Sequence, residues 1–513
     1  MQERELKLHA PAKARLAIEQ ELRSLQADEI ALHALYFDTA ERELAQARIS
    51  LRLRLEGEHW IQTLKAPGAD ALSRIEINQP RSVPTLDLSF YEGSELSTIF
   101  SRLKHPLVLR YETRVKRLVH KITTPSGVVE LAFDQGVICA DGLELPISEV
   151  EFELLKGNIR SLFVLGRKWT RKHGLILDLR SKAERGDALA TVAQSLPAPG
   201  DHQPSVAAFP AEQLIKPRRA ALPRLKPAMS AAQACLICTE ECLNQIIRNA
   251  AFVAGIDSAL ADKSLHAEHV HQLRVGIRRL RSCWRLYKDW TGPIAERLEA
   301  QVRQVFDALG QSRDDDVVRY VIAPLIERAG MPLCTLPAAP AHTPGHSATL
   351  AGRASFQILL LNLLEGVVVP ARMAAGAMPE SIQARPLKKK LTGVLNKWLR
   401  QIVRQGSEYG LLPIEGQHDL RKKVKRLRYS LNFSQALLAK GSVERVVVQL
   451  TQTQEILGEL NDLYLAQRHY EALLTDQPQA WFAVGWLRAT QEQKKQAAQA
   501  AFKALATTGK LKM

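Results

Sequence analysis

The hydrophobic period of this chain changes once along its length, and that change constrains the fold more than any other feature. Up to about residue 195, short runs alternate polar and apolar residues at period two: ERELKL (3–8), ISLRLRL (49–55), HWIQTLK (59–65), SRIEINQ (73–79), GVVELAFD (127–134) and ISEVEFELL (147–155). Successive side chains of a strand point to opposite faces, so these runs predict strands. Helical stretches interrupt them at Lys13–Leu25 and Ile159–His173. Beyond residue 228 the apolar residues recur at intervals of three and four, the period of helices. Residues 196–228 keep neither period and are rich in Pro and Ala, which reads as a partly extended linker. The expectation is an α+β domain dominated by antiparallel strands over 1–195, a linker over 196–228, and an all-α domain over 229–505.

The charge is as uneven as the period. Of the net +16, residues 1–196 hold 28 Lys and Arg against 27 Asp and Glu, while residues 197–513 hold 42 against 27. The excess of +15 in the second part predicts a polyanionic partner there: nucleic acid, a membrane surface or polyphosphate. The longest apolar stretch, around Ile358–Val369, is broken by Asn362, Glu365 and Gly366, so no membrane span is expected. The opening MQERELKLHA has no apolar leader segment, which predicts a cytoplasmic protein. Six cysteines in 513 residues are too few for a disulfide scaffold, and Cys235, Cys238 and Cys242 at i, i+3, i+7 read as one core-facing helix stripe.

Several strands carry one charged and one apolar face. Glu3, Glu5 and Lys7 oppose Leu6 and Leu8; Arg52 and Arg54 oppose Leu51, Leu53 and Leu55; Glu149, Glu151 and Glu153 oppose Val150, Phe152 and Leu154. An open sheet with a solvated charged side would show this alternation too. The strict Glu-x-Glu and Arg-x-Arg pairs, together with helices available to cover the apolar face, fit instead a charged face that lines a lumen. The ordered set Glu3-x-Glu5-x-Lys7, YFDT (36–39), LRLR (51–54), TLK ending at Lys65, Glu76, Arg114 in ETRVKR, Glu130 and Asp134, EVEFEL (149–154) and SKAERG (181–186) resembles the CYTH domains, the triphosphate tunnel metalloenzymes. Asp187 departs from relatives that carry an aromatic residue there.

That resemblance implies an eight-stranded antiparallel β tunnel with flanking helices that hydrolyses triphosphate compounds with Mg²⁺ or Mn²⁺. It implies triphosphate binding by Lys7, Arg52, Arg54, Lys65, Arg114 and Lys182, since Arg and Lys neutralise phosphate oxygens. It implies metal binding by Glu3, Glu5, Glu130, Asp134, Glu151 and Glu153, since hard cations prefer carboxylate oxygens. Glu3, Glu5, Lys7, Lys65 and Lys182 are the expected catalytic set, acting by positioning and charge stabilisation.

The helical part repeats itself. HQLRVGIRRLRSCWRLY (271–287) aligns with HDLRKKVKRLRYSLNFS (418–434), an offset of 418 − 271 = 147, and LGQSRDDDV (309–317) with LGELNDLYL (457–465), an offset of 457 − 309 = 148. Two similar helical halves related by a pseudo-two-fold axis are therefore expected. His271, Arg274, Arg278, Arg281, Arg285 and Lys288 fall at helical spacing on one stripe nearly free of acids, as do His418, Arg421, Lys425 and Arg428 in the second copy, with Lys422 beside them. Stacked like charges repel on a helix face, which a bound polyanion would offset. These motifs resemble the CHAD domain, a helical module associated with inorganic polyphosphate. The resemblance implies polyphosphate contacts from His266, His269, His271, Arg274, Arg278, Arg281, Arg285, Arg313, His418, Arg421, Lys422, Lys425 and Arg428, across a groove between the halves. Metal binding by the H-x2-H-x-H set is less favoured, because no carboxylate or cysteine is placed to complete it. Nucleic acid is disfavoured because the stripes hold few aromatics for base stacking. The expected whole is an inorganic triphosphatase that binds polyphosphate, placed in the cytoplasm or on polyphosphate granules. A polyphosphate scaffold with an inactive tunnel is the alternative, and an adenylyl cyclase a third.

Overall fold

Strict alternation with apolar residues on one face lets a sheet close on itself, burying one set of side chains in a lumen and the other under a helical coat. The computed structural model of the chain, which describes residues 2–68, 70–93, 97–196, 214–259, 261–310, 317–336, 346–375 and 387–512, shows this closure. Eight antiparallel strands form the barrel: β1 (Gln2–His9), β2 (Asp28–Thr39), β3 (Ser50–Glu56), β4 (His59–Pro67), β5 (Ser73–Arg81), β6 (Leu107–Thr124), β7 (Gly127–Ala140) and β8 (Leu143–Gly157). Their order is β5-β4-β3-β2-β6-β7-β8-β1, and β1 pairs with β5 through Gln2–Arg4 and with β8 through Glu5–His9, which closes the ring. A short β9 (Ile176–Leu177) adds to the outer end of β1.

Over β1, β7 and β8 the outward face is apolar and covered. Helix α1 (Arg15–Ser24) follows β1, and Leu6 and Leu8 of β1 are fully buried beneath helix α2 (Arg160–His173), where Gly166 leaves room for the Leu6 side chain. Phe152 of β8 meets Trp169 of that helix edge to face, at 6.1 Å between ring centroids. Helix α3 (Lys182–Ser195) takes a different place. Its Leu189 and Ala190 pack against Ala34, Tyr36, Tyr111, Val115, Ile138 and Ile147, which share the inward parity of their strands, so α3 stoppers part of the lumen. A Cβ at Gly186 would come within 2.2 Å of the Tyr111 ring, so glycine is required where α3 presses onto it.

The helical part contains α4 (Ala231–Val253), α5 (Lys263–Thr291), α6 (Glu296–Ala308), α7 (Ala354–Ala375), α8 (Leu387–Gly406), α9 (Ile414–Ser434), α10 (Lys440–Glu471) and α11 (Ala480–Thr507) among its described helices. The chain forms two compact units. One holds Met1–Arg219, Leu243–Leu273 and Ser347–Gly376; the other holds Ala220–Cys242, Arg274–His346 and Ala377–Met513. The barrel's unit therefore includes segments of helical sequence, and the apolar stretch around residues 358–369 is the reason for one of them. Phe356, Leu360, Leu361, Leu364 and Val368 of α7 are buried, with Leu361 near Gly166 of α2, and Arg167 of α2 pairs with Glu365 at 2.5 Å. Among the described residues no single helix is long and apolar enough to cross a membrane. Cys238 and Cys242 are buried, and all six cysteines are free thiols.

Candidate functional site

The lumen gathers the charges that the strand parities predict. On β1, Glu3 accepts two hydrogen bonds from Lys65 Nζ of β4, both at 2.8 Å, and Lys65 also lies 3.2 Å from Glu76 of β5. Across the barrel, Lys182 Nζ at the start of α3 reaches Asp134 at 2.6 Å and Glu151 at 2.7 Å and contacts Glu149. Ser181 caps α3, its hydroxyl accepting from the Glu184 amide, which fixes Lys182 at the first turn. Lys7 is buried 3.8 Å from Glu149 and donates to the Arg180 carbonyl. Arg52 donates to the Tyr36 hydroxyl at 3.3 Å, and Arg54 pairs with Glu56.

Arg114 is a correction. Its side chain is 59% exposed on the outer face and pairs with Glu112 at 2.9 Å. Residue parity along β6 places Arg117 inward instead, opposite Asp134 in the β6–β7 register. Arg117 holds Asp134 with a two-pronged pair, Nε to Oδ1 at 2.7 Å and Nη2 to Oδ2 at 2.6 Å, and reaches Glu151 at 2.5 Å. Arg117 and Glu149 are thus lumen residues outside the expected set. Glu149 shares the parity of Glu151 and Glu153, a signal already present in EVEFEL.

The carboxylates divide into two environments. Burial alone would raise all of them. For Glu151 it is overridden by Lys182 and Arg117, which hold its carboxyl well below the usual range, and for Asp134 by Arg117 and Lys182, which lower it. For Glu76 the opposing charge of Lys65 brings it down to about 2. For Glu5 the relief is too small: burial, then Glu151 and Glu3, outweigh Lys65 and Lys7 and push it up to about 8. Glu153, paired with Glu5 in the β1–β8 register, is pushed up to about 7 by burial, then by Glu5, with Glu130 adding to it. Asp134, Glu149 and Glu151 place oxygens within 4.8 Å of one another and could hold a metal ion, but Lys182 and Arg117 already neutralise them. The least compensated carboxylates are Glu5 and Glu153, with Glu3, Glu130 and Glu151 adjacent. An all-oxygen donor set of this charge fits a hard divalent cation.

In the helical part, the structure separates the expected binding residues. His269 is a correction: it is 1% exposed, stacks on Phe252 at 3.7 Å, and bonds to the Ile215 carbonyl at 3.2 Å. Burial lowers its pKa to about 4, so it is a neutral packing group. Arg274 is buried too, donating to the Leu309 carbonyl past the end of α6 at 2.9 Å with its guanidinium over Phe306. His266 is half-buried and bonds to Ser347, and His271 is half-buried on α5; both belong to the barrel's unit. Arg313 lies outside the described residues. In the second unit, burial lowers the Arg421 pKa, Asp462 opposes that shift and Arg278 adds to it. Arg281 and Arg285 act likewise on Arg426. Helices α5 and α9 meet where the Arg279 guanidinium lies over Phe433 at 5.3 Å, and other arginines of the two helices fall within each other's field. Phe306 receives Arg278 and Arg281, and Trp398 receives Arg426, at 5.5–5.9 Å. Arg428 is engaged with Gln454, Lys422 with Asp419 on the surface, Lys425 is half-buried and His418 is exposed.

Residues 1–186 match the CYTH domain family and residues 238–471 the CHAD domain family. The chain is 28% identical over 197 residues to an inorganic triphosphatase of Haemophilus influenzae, a match covering 37% of this chain and 56% of that protein's length. The chain is similar in structure to the CHAD domain of Ricinus communis, with 24% identity, 56% of this chain and 96% of that one covered, and a TM-score of 0.44. It is similar also to a Hippeastrum protein described as having a dominant triphosphatase activity, with 17% identity, 36% and 94% covered, and a TM-score of 0.27.

Proposed function

The chain carries a CYTH domain followed by a CHAD domain, and from that premise we propose that its tunnel hydrolyses inorganic triphosphate with Mg²⁺ or Mn²⁺ while its CHAD domain binds inorganic polyphosphate. The observation that carries the first half is the charge of the lumen. The carboxylates Glu3, Glu5, Glu76, Glu130, Asp134, Glu149, Glu151 and Glu153 gather there with the cations Lys7, Arg52, Arg54, Lys65, Arg117 and Lys182, and Glu5 and Glu153 are the two whose carboxyls are pushed up to about 8 and about 7. Glu5 and Glu153 can exchange the protons they then hold for a divalent ion, and the ion they call for is one a triphosphate brings with it.

The protein's own residues then have separable tasks. Glu5 and Glu153, with Glu3 and Glu130 beside them, would hold the cation, which supplies charge neutralisation of the phosphate oxygens. Arg52, Arg54 and Lys65 line the lumen on β3 and β4, and they would grip the phosphate chain, Arg54 and Lys65 by giving up Glu56, Glu3 and Glu76. Lys182 and Arg117 would exchange their carboxylate partners for phosphate oxygens as the chain enters, so that charge already fixed in place meets the charge of the transition state. Tyr36 orients Arg52, and burial beside Arg52 lowers the pKa of Arg54 to about 10, leaving it charged at neutral pH.

For the CHAD domain, Arg278 and Arg421, with Asp462 near Arg421, and the group Arg281, Arg285 and Arg426, with Asp419 near Arg426, support a phosphate-only partner, since the remaining repulsion among these arginines is relieved by a polyanion. Polyphosphate held there would keep the enzyme on its substrate pool, in the cytoplasm or on granules. Phosphate release from inorganic triphosphate, ATP and long-chain polyphosphate tests the substrate, with inorganic triphosphate expected to be fastest; a preference for ATP would overturn that choice. Arg281→Ala combined with Arg285→Ala and Arg421→Ala should abolish a polyphosphate gel shift, and an unchanged shift would end the binding assignment.

A further inference from the structure

Two lysines of the tunnel, Lys7 and Lys182, stand beside a clamp that closes on a residue the barrel strands do not supply. Lys182 follows Arg180 by two residues and precedes Arg185 by three, and both arginines converge on Asp257. Arg180 Nη1 lies 3.0 Å from Asp257 Oδ2; Arg185 Nε and Nη2 donate to the two oxygens of the same carboxylate at 3.1 and 2.8 Å. The Asp257 and Arg185 side chains are each 3% exposed. Asp178 completes the clamp, accepting from the Arg180 amide and guanidinium, and Arg185 also donates to the Pro146 carbonyl of β8. The Arg180 carbonyl, fixed by this clamp, is the acceptor for Lys7.

Asp257 is itself rigidly carried. It belongs to the turn that ends α4, in the sequence that matches the CHAD domain and in the same compact unit as the barrel. Gly255, at φ 108°, turns the chain, and the Gly255 and Ile256 amides bond back to the Phe252 and Ala251 carbonyls, which completes a helix C-cap. Ile256 is buried against Ile176 of β9 and Ala251, so the turn is docked by packing before its carboxylate is used. Asp257 then adopts φ 55°, a left-handed conformation that Asp and Asn tolerate better than other side chains.

We propose that Asp257 is a positioning residue for the triphosphate tunnel: by clamping Arg180 and Arg185 on either side of Lys182, this residue of the CHAD-matched sequence sets where Lys182 and Lys7 stand in the lumen. The proposal rests on the tunnel reading above for its consequence, but the placement of the lysines is measurable without turnover. Asp257→Asn keeps size and backbone tolerance and removes the charge that the buried Arg185 and the half-buried Arg180 share. A misplacement of a positioned cation by about an ångström lowers turnover by roughly ten- to a hundredfold.

The test is lysine acetylation footprinting of the full-length protein, read by mass spectrometry, beside steady-state hydrolysis of inorganic triphosphate. In Asp257→Asn, Lys182 and Lys7 should be acetylated several-fold faster while Lys65, on the opposite wall, keeps its rate, and kcat should fall more than KM changes. Arg167→Met, which breaks the separate pair with Glu365, is the control for general loosening and should leave the labelling of Lys182 unchanged. Unchanged labelling of Lys182 and Lys7 in a folded Asp257→Asn protein would overturn the proposal, as would equal gains in Arg167→Met. If Asp257→Asn does not fold, Arg180→Lys, which shortens the clamp without removing its charge, is read in the same way. Absence of hydrolysis by the wild type would count against the tunnel reading alone, since the footprint still decides the positioning.

Discussion

Replacing Arg117 by Ala should damage the protein far more than replacing Arg114, although the two stand three residues apart in ETRVKR. Arg117 spans Asp134 and Glu151 with three charge-assisted hydrogen bonds of 2.5–2.7 Å, and Asp134 is completely buried. Its removal leaves Asp134 with Lys182 at 2.6 Å as its remaining charged partner. Breaking a buried pair costs about 3–5 kcal/mol, and the retained lysine argues for the lower end, about 3 kcal/mol. For a domain of this size each kcal/mol moves the midpoint by roughly 2–4 °C, so the melting temperature in EDTA should fall by roughly 6–12 °C. Arg114→Ala removes an exposed group whose partner Glu112 keeps His33 at 2.8 Å, and it should melt with the wild type. Triphosphate hydrolysis should be lost in Arg117→Ala and retained in Arg114→Ala. Equal effects of the two substitutions on melting or turnover would refute the inward assignment of Arg117.

Other consequences follow from the same geometry. Glu5 and Glu153 keep protons in the folded protein up to about pH 8 and 7, against an ordinary value of 4.5, so between those limits the folded state binds more protons than the unfolded state. Metal-free stability should therefore decline as pH rises from about 5 to 8, and titration of Mg²⁺ or Mn²⁺ at pH 7 should release protons, seen as heats that vary with buffer ionisation enthalpy; heats independent of the buffer would contradict it. Gly186→Ala should destabilise the barrel by about 1–3 kcal/mol, read by denaturant melts, because its Cβ would meet the Tyr111 ring at 2.2 Å. His269→Ala should lower stability by opening a cavity beneath Phe252 while leaving polyphosphate affinity unchanged, which a gel shift checks.

The barrel was legible because its charges sit on one parity. Every run from ERELKL to ISEVEFELL became a strand, and Lys13–Leu25 and Ile159–His173 correspond to helices Arg15–Ser24 and Arg160–His173. Strands β2 and β6 escaped, since ALHALYF places apolar residues on both faces and β6 carries cations on both. That same ambiguity hid Arg117: only the β6–β7 register, with Arg117 opposite Asp134, tells it from Arg114. The packing roles of His269 and Arg274 were hidden for another reason. A helical stripe fixes which residues share a face, but burial depends on what arrives from far along the chain, here Phe252, Ile215 and Leu309. Asp257 left no signal in its own sequence, because its partners lie more than 70 residues away.

The central claim is that the least compensated carboxylates make the tunnel a metal-dependent triphosphatase. Phosphate release from inorganic triphosphate by the full-length protein, with Mg²⁺ or Mn²⁺ and then with EDTA, measured for the wild type and for Glu5→Gln, tests it most directly. The account predicts release that needs the divalent ion and falls at least a hundredfold, about 2.7 kcal/mol of transition-state stabilisation, in Glu5→Gln. Release that survives EDTA, or a Glu5→Gln protein as active as the wild type, would contradict it.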